Sequence, residues 1–220
     1  MTHISNLSPG LLGAAFIGGE GPCPDRCRRI LAEVPGRLLI AAADSGLIAA
    51  EAAGFCPDWV VGDMDSLDDP ARLEKYPPER VRRYPRDKDF LDTELALSLL
   101  WEKGCAETWV LGGGGGRLDH LLGIRSLFER ERFPARWITA REDVRALEAP
   151  GELSLEIPPG GRVSVFPLGP GPWEAESRGL KWTLAGLSWN RGFIGVSNVA
   201  ESGIFEVRAL RGRFMVMTEA

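Results

Sequence analysis

The chain has 220 residues, of which 44% are hydrophobic and 26% charged, and this length and composition suit a globular protein that buries a core without disulfide bonds. Its formal charge of -5 excludes a broad basic surface for nucleic acid, and no apolar run reaches the roughly 20 residues that a membrane span needs. The four scattered cysteines are typical of free thiols, so we expect a cytoplasmic protein. From the charge and the apolar runs we expect that it binds neither nucleic acid nor a membrane.

The first part of the chain alternates short apolar runs with helix-like segments, which is the pattern of a parallel sheet covered by helices. The predicted strands span residues 11–17, 37–43, 59–61, 81–84, 108–111 and 136–139, and the predicted helices span 27–33, 47–53, 89–103 and 118–130. We therefore expect a Rossmann-like α/β domain over residues 1–140, with helices on both faces of its sheet.

After about Ala140 the sequence changes to short strand-like segments separated by Gly and Pro, with no convincing helix. These segments span residues 144–147, 153–157, 162–167, 174–177, 203–208 and 213–218. The second domain, residues 141–220, is therefore predicted to be an all-β sandwich, with a partial barrel as the alternative.

Unusual polar residues follow the predicted strands of the first domain. Asp44 follows the second strand, Asp63 and Asp65 follow the third, Asp89 and Asp92 follow the fourth, and a glycine run follows the fifth. In an open parallel sheet the ligand site lies beyond the carboxyl ends of the strands. The sequence therefore predicts that these loops converge on one site.

The turn Asp63-Met64-Asp65-Ser66 carries two carboxylates separated by one residue, so both can face one small volume. Such close like charges repel each other unless a cation neutralises them, and Mg2+ commonly binds one or two carboxylates together with substrate phosphates. A solvated surface turn is the alternative, because Asp and Gly are common in turns. Asp92, at the start of the third helix, would point toward the same edge, which favours the metal site.

Five glycines, residues 112–116, precede Arg117-Leu118-Asp119-His120. They would let the backbone approach a ligand closely, and the start of the following helix would offer N–H groups to an anion. Arg117 can make a forked contact with phosphate, and Lys88 can add a second positive charge. The Lys-Ser/Thr ending of a Walker-type loop is absent. A flexible glycine linker is the alternative, and His120 could pair with a nucleobase, a phosphate or Asp119.

Taken in order, these motifs resemble those of the thiamine pyrophosphokinases. The matching motifs are Ala43-Asp44-Ser45-Gly46, Gly62-Asp63-Met64-Asp65-Ser66, Lys88-Asp89 with Asp92, Gly112 with Gly115 to His120, Gly179-Leu180-Lys181-Trp182 and Val196-Ser197-Asn198. The resemblance covers most of the chain. It implies an enzyme that transfers diphosphate from ATP to the hydroxyl of thiamine, uses Mg2+, and works as a homodimer with its active site between subunits.

The resemblance also implies a role for each matching residue. The implied catalytic residues are Asp63, Asp65, Asp92 and Asp119, and the first three would hold Mg2+. The implied nucleotide contacts are Asp44, Ser45, Lys88, Gly112, Arg117 and His120, and either Asp44 or Asp119 could orient or deprotonate the hydroxyl. The implied thiamine contacts are Trp182, Ser197 and Asn198. The Trp182 ring would attract the cationic thiazolium, although a core or interface tryptophan is the alternative.

Two positions depart from the family pattern, which usually has Thr where this chain has Leu91 and Asn where it has Ile124. Two rival functions therefore stay open. One is diphosphate transfer to another hydroxymethyl heterocycle, such as a pterin. The other is a nucleotide- or thiamine-binding regulator without catalysis, which the missing hydroxyl at Leu91 favours and the retained carboxylates oppose.

Overall fold

The computed structural model describes residues 10–67, 69–87, 89–190, 192 and 195–220, so the predicted phosphate ligand Lys88 lies outside the described residues. The chain divides into two compact units. Among the described residues, the parallel unit comprises 10–127 and 136–141, and the antiparallel unit comprises 128–135 and 142–220. None of the helices in these residues combines the length and the apolar character that crossing a membrane would require.

The parallel unit contains strands paired side by side in the same direction. The strands are β1 (Leu11–Phe16), β2 (Arg37–Ala43), β3 (Trp59–Gly62), β4 (Val81–Arg83), β5 (Glu107–Leu111) and β6 (Arg136–Ile138), and the helices are α1 (Pro24–Ala32), α2 (Gly46–Ala52), α3 (Asp92–Glu102) and α4 (Leu118–Leu127). Every predicted element of this unit is confirmed, with shifts at its ends. Two short 3₁₀ helices, Pro70–Lys75 and Pro78–Arg80, lie between β3 and β4 and were not predicted.

The order of the strands explains where a ligand can bind. The strands lie in the order β6-β5-β1-β2-β3-β4, and every neighbouring pair is parallel. β1 therefore has β2 on one side and β5 on the other, so the direction of the chain across the sheet reverses at β1. Loops after the strands separate at such a switch point and leave a crevice.

Apolar sequence holds this sheet in place. β1 and β2 are almost continuously apolar, as expected of parallel strands with little solvent contact, and every residue from Leu12 to Phe16 is buried. Helix α3 buries Ala96, Leu97, Leu99 and Leu100 and packs against β1 and β2. The helix therefore fixes the position of its own first turn, which carries Asp92.

The antiparallel unit contains the remaining strands in two sets. They are β7 (Glu142–Glu148), β8 (Gly151–Glu156), β9 (Arg162–Leu168), β10 (Glu174–Arg178), β11 (Gly195–Val199), β12 (Ile204–Arg211) and β13 (Arg213–Glu219). One set has the order β11-β9-β13-β7 and the other β10-β12-β8. Alternate residues of both sets, such as Phe205 and Val207 from β12 and Phe214 and Val216 from β13, share one core. The predicted β segments are confirmed, whereas β11 was not predicted as a strand.

Candidate active site

A cavity of about 500 Å3 lies within the parallel unit at the carboxyl edge of its sheet. Its lining comes from the loops after five successive strands and from α4, and includes 17–19, 43–45, Asp63, Asp65, Ser66, Arg86, 90–93, 113–117, His120 and Ile124. The convergence expected from the sequence is therefore present. Of the predicted site residues, the lining includes Asp44, Ser45, Asp63, Asp65, Asp92, Arg117 and His120.

A hydrogen bond to Asp44 fixes the backbone of the acidic turn after β3. The Oδ1 atom of Asp44 accepts a hydrogen bond from the Met64 N–H at 3.1 Å, and the Met64 side chain is buried in the core beneath the turn. Gly62 is required here, because its φ is +139° and a Cβ atom would lie 1.9 Å from Asp44 Oδ1. These contacts leave the side chains of Asp63 and Asp65 lining the cavity.

Asp44 and Asp92 form a hydrogen-bonded pair of carboxyl groups in this cavity. The pKa of Asp44 is raised to about 7, mainly by burial and then by the hydrogen bond and negative charge of Asp92, with a smaller contribution from Asp63, while the Met64 N–H opposes the shift. Asp44 therefore retains a proton close to neutral pH. A divalent cation could replace that proton, so the donor set fits Mg2+ chemically.

The carboxylates of Asp63, Asp65 and Asp92 do not form a preassembled metal site among the described residues. Within the described ranges, no group of three or more His, Cys, Asp or Glu side chains is arranged to hold a metal ion. Asp65 is exposed, and its N–H donates to Asp63 Oδ1 at 3.1 Å. The set Asp63, Asp65 and Asp92 therefore stays a prediction as a ligand set.

Arg117 and Asp119 bind each other at the start of α4. The Arg117 Nε and Nη2 atoms donate to the two carboxylate oxygens of Asp119 at 3.1 and 2.5 Å. This hydrogen bond holds the pKa of Asp119 below its usual range, and the His120 N–H also donates to Asp119 at 3.0 Å. Of these described residues, Arg117 and His120 line the cavity and Asp119 does not. The geometry favours Asp119 as the residue that orients Arg117.

The first three N–H groups of the glycine run, those of Gly112 to Gly114, donate hydrogen bonds to carbonyl groups of the protein. The Gly112 N–H donates to Ile138 O, Gly113 N–H to Gly18 O, and Gly114 N–H to Glu20 O, at 2.8 to 2.9 Å. The Glu20 N–H returns a hydrogen bond to Gly114 O at 2.7 Å. These three N–H groups are therefore used within the protein, and the expectation that the start of α4 offers N–H groups to an anion stays a prediction. For Gly112, a close approach of the backbone stays a prediction.

Several cavity residues were missed or only noted as departures. Arg86 and the half-exposed Phe90 line the cavity from the segment between β4 and α3, and neither was predicted. Arg86 lies two residues before Lys88, and that shared loop was the available signal. Leu91 and Ile124 also line the cavity, so both departures from the family pattern lie in the site itself.

The predicted thiamine contacts lie in the antiparallel unit. The Trp182 side chain is exposed and has Lys181 Nζ 4.8 Å from its ring centroid. Asn198 is buried and holds both ends of the Trp182 residue: its Oδ1 accepts from Trp182 N at 3.1 Å and its Nδ2 donates to Trp182 O at 2.7 Å. Ser197 is exposed with a left-handed φ of 58°. The structure thus brings Trp182 and Asn198 together, and their contacts with a ligand stay predictions.

An acidic cavity with adjoining arginines, at the switch point of an open parallel sheet, is typical of α/β enzymes that bind phosphorylated nucleotides. The sequence profile described as the thiamin pyrophosphokinase catalytic domain matches residues 34–136. Thiamine pyrophosphokinase of Bacillus subtilis (strain 168) is 31% identical over 147 residues, which are 64% of this chain and 68% of the relative. The chain therefore belongs to the thiamine pyrophosphokinase family, as the sequence predicted.

Solved structures of the same description share the fold along almost the whole chain. The thiamine pyrophosphokinase of Bacillus subtilis superimposes with a TM-score of 0.76 at 23% identity and covers 96% of this chain and 99% of its own. The thiamin pyrophosphokinase of Candida albicans superimposes with a TM-score of 0.69 at 16% identity and covers 96% and 89%. At these identities the likeness establishes a common fold.

Proposed function

We propose that this enzyme transfers diphosphate from ATP to the hydroxyl of thiamine, giving thiamine diphosphate and AMP, in the cytoplasm. The observation that carries the proposal is the cavity that Asp44, Asp63, Asp65, Asp92 and Arg117 line together, in a chain of this family. A binding protein has little need for so many carboxylates beside a triphosphate, because they repel it. The same carboxylates are useful to an enzyme that neutralises them with a cation.

Mg2+ is the cation that we propose for this site. Asp63, Asp65 and Asp92 would hold it, and the raised pKa of Asp44 beside Asp92 indicates that positive charge is favourable there. When bound, Mg2+ would neutralise charge on the transferred phosphates and align them for reaction. The described residues would supply the rest of the site.

In the proposed reaction the thiamine hydroxyl oxygen attacks the β-phosphorus of ATP in line with the bond to the α-phosphate oxygen. A new oxygen–phosphorus bond forms, the bond between the bridging oxygen and the β-phosphorus breaks, and AMP leaves. Arg117, oriented by Asp119, would bind the phosphates, with Ser45, Gly112 and His120 as further nucleotide contacts.

Asp44 is the proposed acceptor of the hydroxyl proton. It lines the cavity, and burial raises its pKa above the usual value of an aspartate, which suits a general base. Asp119 has a lowered pKa and is paired with Arg117, which makes it the weaker of the two candidates. Lys88, beyond the described residues, remains the proposed second cation for the triphosphate.

Thiamine recognition is assigned to the antiparallel unit. The exposed ring of Trp182 would lie against the cationic thiazolium, and Ser197 and Asn198 would contribute polar contacts to the pyrimidine. We further propose a homodimer with its active site between subunits, a Rossmann-like domain at residues 1–140 and a β-sandwich at residues 141–220.

One incubation tests the function. The purified chain with ATP, Mg2+ and thiamine should yield AMP and thiamine diphosphate in equal amounts, measured by ion-pair chromatography. Omitting thiamine or adding a chelator should stop both products. Products with a hydroxymethyl pterin instead would support the rival acceptor, and ATP binding without any product would support the regulator.

A further inference from the structure

Arg86 lies on the cavity side of the loop after β4 and has no function in the site described so far. It lines the same cavity as Asp63, Asp65 and Arg117, and its side chain is 82% exposed. Its Nε atom lies 3.5 Å from Asp65 Oδ2. Among the described residues, the Arg86 guanidinium makes this long ion pair and no hydrogen bond.

Other arginines of the parallel unit are held more firmly. Arg82 binds both carboxylate oxygens of Glu102 at 2.9 and 3.0 Å, and Arg117 binds both oxygens of Asp119. An exposed ion pair at the distance seen for Arg86 contributes little to stability. Arg86 can therefore leave Asp65 at small cost when a more highly charged anion enters the cavity.

We propose that Arg86 is a phosphate-binding residue for the part of the nucleotide that is transferred. Without nucleotide it neutralises Asp65. With nucleotide its guanidinium turns to the β- and γ-phosphate oxygens, where a planar fork can make two charge-assisted hydrogen bonds. The choice of these phosphates rests on the proposed function, since Asp65 belongs to the turn proposed to hold the Mg2+ that would neutralise the transferred phosphates.

Calorimetric titration of Arg86→Ala with Mg2+-ATP and with AMP tests this assignment. We expect the Kd for ATP to rise about 10- to 100-fold, the change that losing a charge-assisted hydrogen bond produces, and the Kd for AMP to stay within about twofold. Arg86→Lys should recover part of the ATP affinity, because it keeps the charge and loses the fork. The matched control is Arg83→Ala, since Arg83 is an exposed arginine at the end of β4 outside the cavity lining, and it should bind ATP like the unchanged chain.

The outcomes separate this inference from the proposed function. Unchanged ATP affinity in Arg86→Ala, or an equal loss for ATP and AMP, would overturn the assignment to the transferred phosphates. If the unchanged chain binds ATP and fails to convert thiamine, the function is wrong, yet a selective loss of ATP affinity in Arg86→Ala still supports Arg86. If the unchanged chain makes AMP and thiamine diphosphate and Arg86→Ala keeps its KM for ATP, the function stands and Arg86 does not bind phosphate.

Discussion

The acidic cavity of the parallel unit and the segment around Trp182 in the antiparallel unit use polar side chains in opposite ways. In the cavity, Asp44 and Asp92 contact each other and face open space. Around Trp182, the buried Asn198 binds the main chain and leaves the aromatic ring exposed. Under the proposed function, the first arrangement would concentrate charge for the reaction, and the second would present an aromatic ring to thiamine.

Both regions store backbone strain. Among the described residues, the non-glycine residues with a left-handed backbone are Asp44, Met64 and Ser197. Such conformations cost about 1 kcal/mol each and persist where the surroundings impose them, often at functional sites. The two regions should nevertheless respond differently to substitution: changes in the cavity should alter turnover, and changes around Trp182 should alter stability or thiamine affinity.

The largest effect is expected from Asp63→Asn. Loss of one proposed metal-binding carboxylate should lower AMP formation about 100- to 1,000-fold. The melting temperature should change by no more than about 2 °C, because Asn keeps an oxygen that can accept from Asp65 N–H. Asp87→Asn is the control, since Asp87 is exposed and outside the cavity lining. Near-normal turnover in Asp63→Asn would remove the metal assignment.

Asp44→Asn should change how stability depends on pH. Because the folded-state pKa of Asp44 is raised from 3.8 to about 7, the folded protein binds a proton that the unfolded chain has lost between these values. The free energy of unfolding contributed by this group therefore falls as the pH rises from about 4 to about 7. Urea unfolding in a chelating buffer should show this slope in the unchanged chain and a flatter one in Asp44→Asn, which should be the more stable at pH 8. Equal slopes would contradict the raised pKa.

Asn198→Ala should destabilise the antiparallel unit. It removes the partners of the Trp182 N–H and C=O, and a loss of this kind costs about 1–3 kcal/mol in the free energy of unfolding. The measurement is a urea titration followed by circular dichroism. Ser197→Ala, at the exposed neighbouring position, should change stability by less than about 0.5 kcal/mol. Similar stabilities for the two variants would mean that Asn198 does not anchor Trp182.

Trp182→Ala should have the smallest effect, which should be confined to the binding of thiamine, the acceptor. Loss of a cation–π contact worth about 0.5–2 kcal/mol should raise the KM for thiamine about 2- to 30-fold, while the KM for ATP stays unchanged. Trp182→Phe should have a KM for thiamine between those of the unchanged chain and Trp182→Ala, since it keeps a smaller aromatic ring. A KM for thiamine that does not move would remove Trp182 from the acceptor site.

Much of the fold could be predicted because the parallel unit has strong apolar runs. The predicted strand at residues 37–43 is the observed β2, for example. β11 could not be predicted in the same way, because Gly195–Val199 mixes glycine, serine and asparagine with two valines and becomes a strand through pairing with β9.

The candidate site likewise has features that the sequence predicts and features that it does not. The convergence of Asp44, Asp63 and Asp92 could be predicted, because it follows from their positions after parallel strands. The partners of Asn198 and Gly114 depend on segments that are distant in sequence or in a different loop. No local pattern carries that information.

The hydrogen bonds between Glu20 and Gly114 have a consequence for how this site can evolve. They join the loops after β1 and β5 through main-chain atoms, so one side of the cavity is held by backbone contacts. Positions such as Phe90, Leu91 and Ile124 line the same cavity with side chains. Substitutions there can change which molecule fits while the backbone that receives it is inherited unchanged.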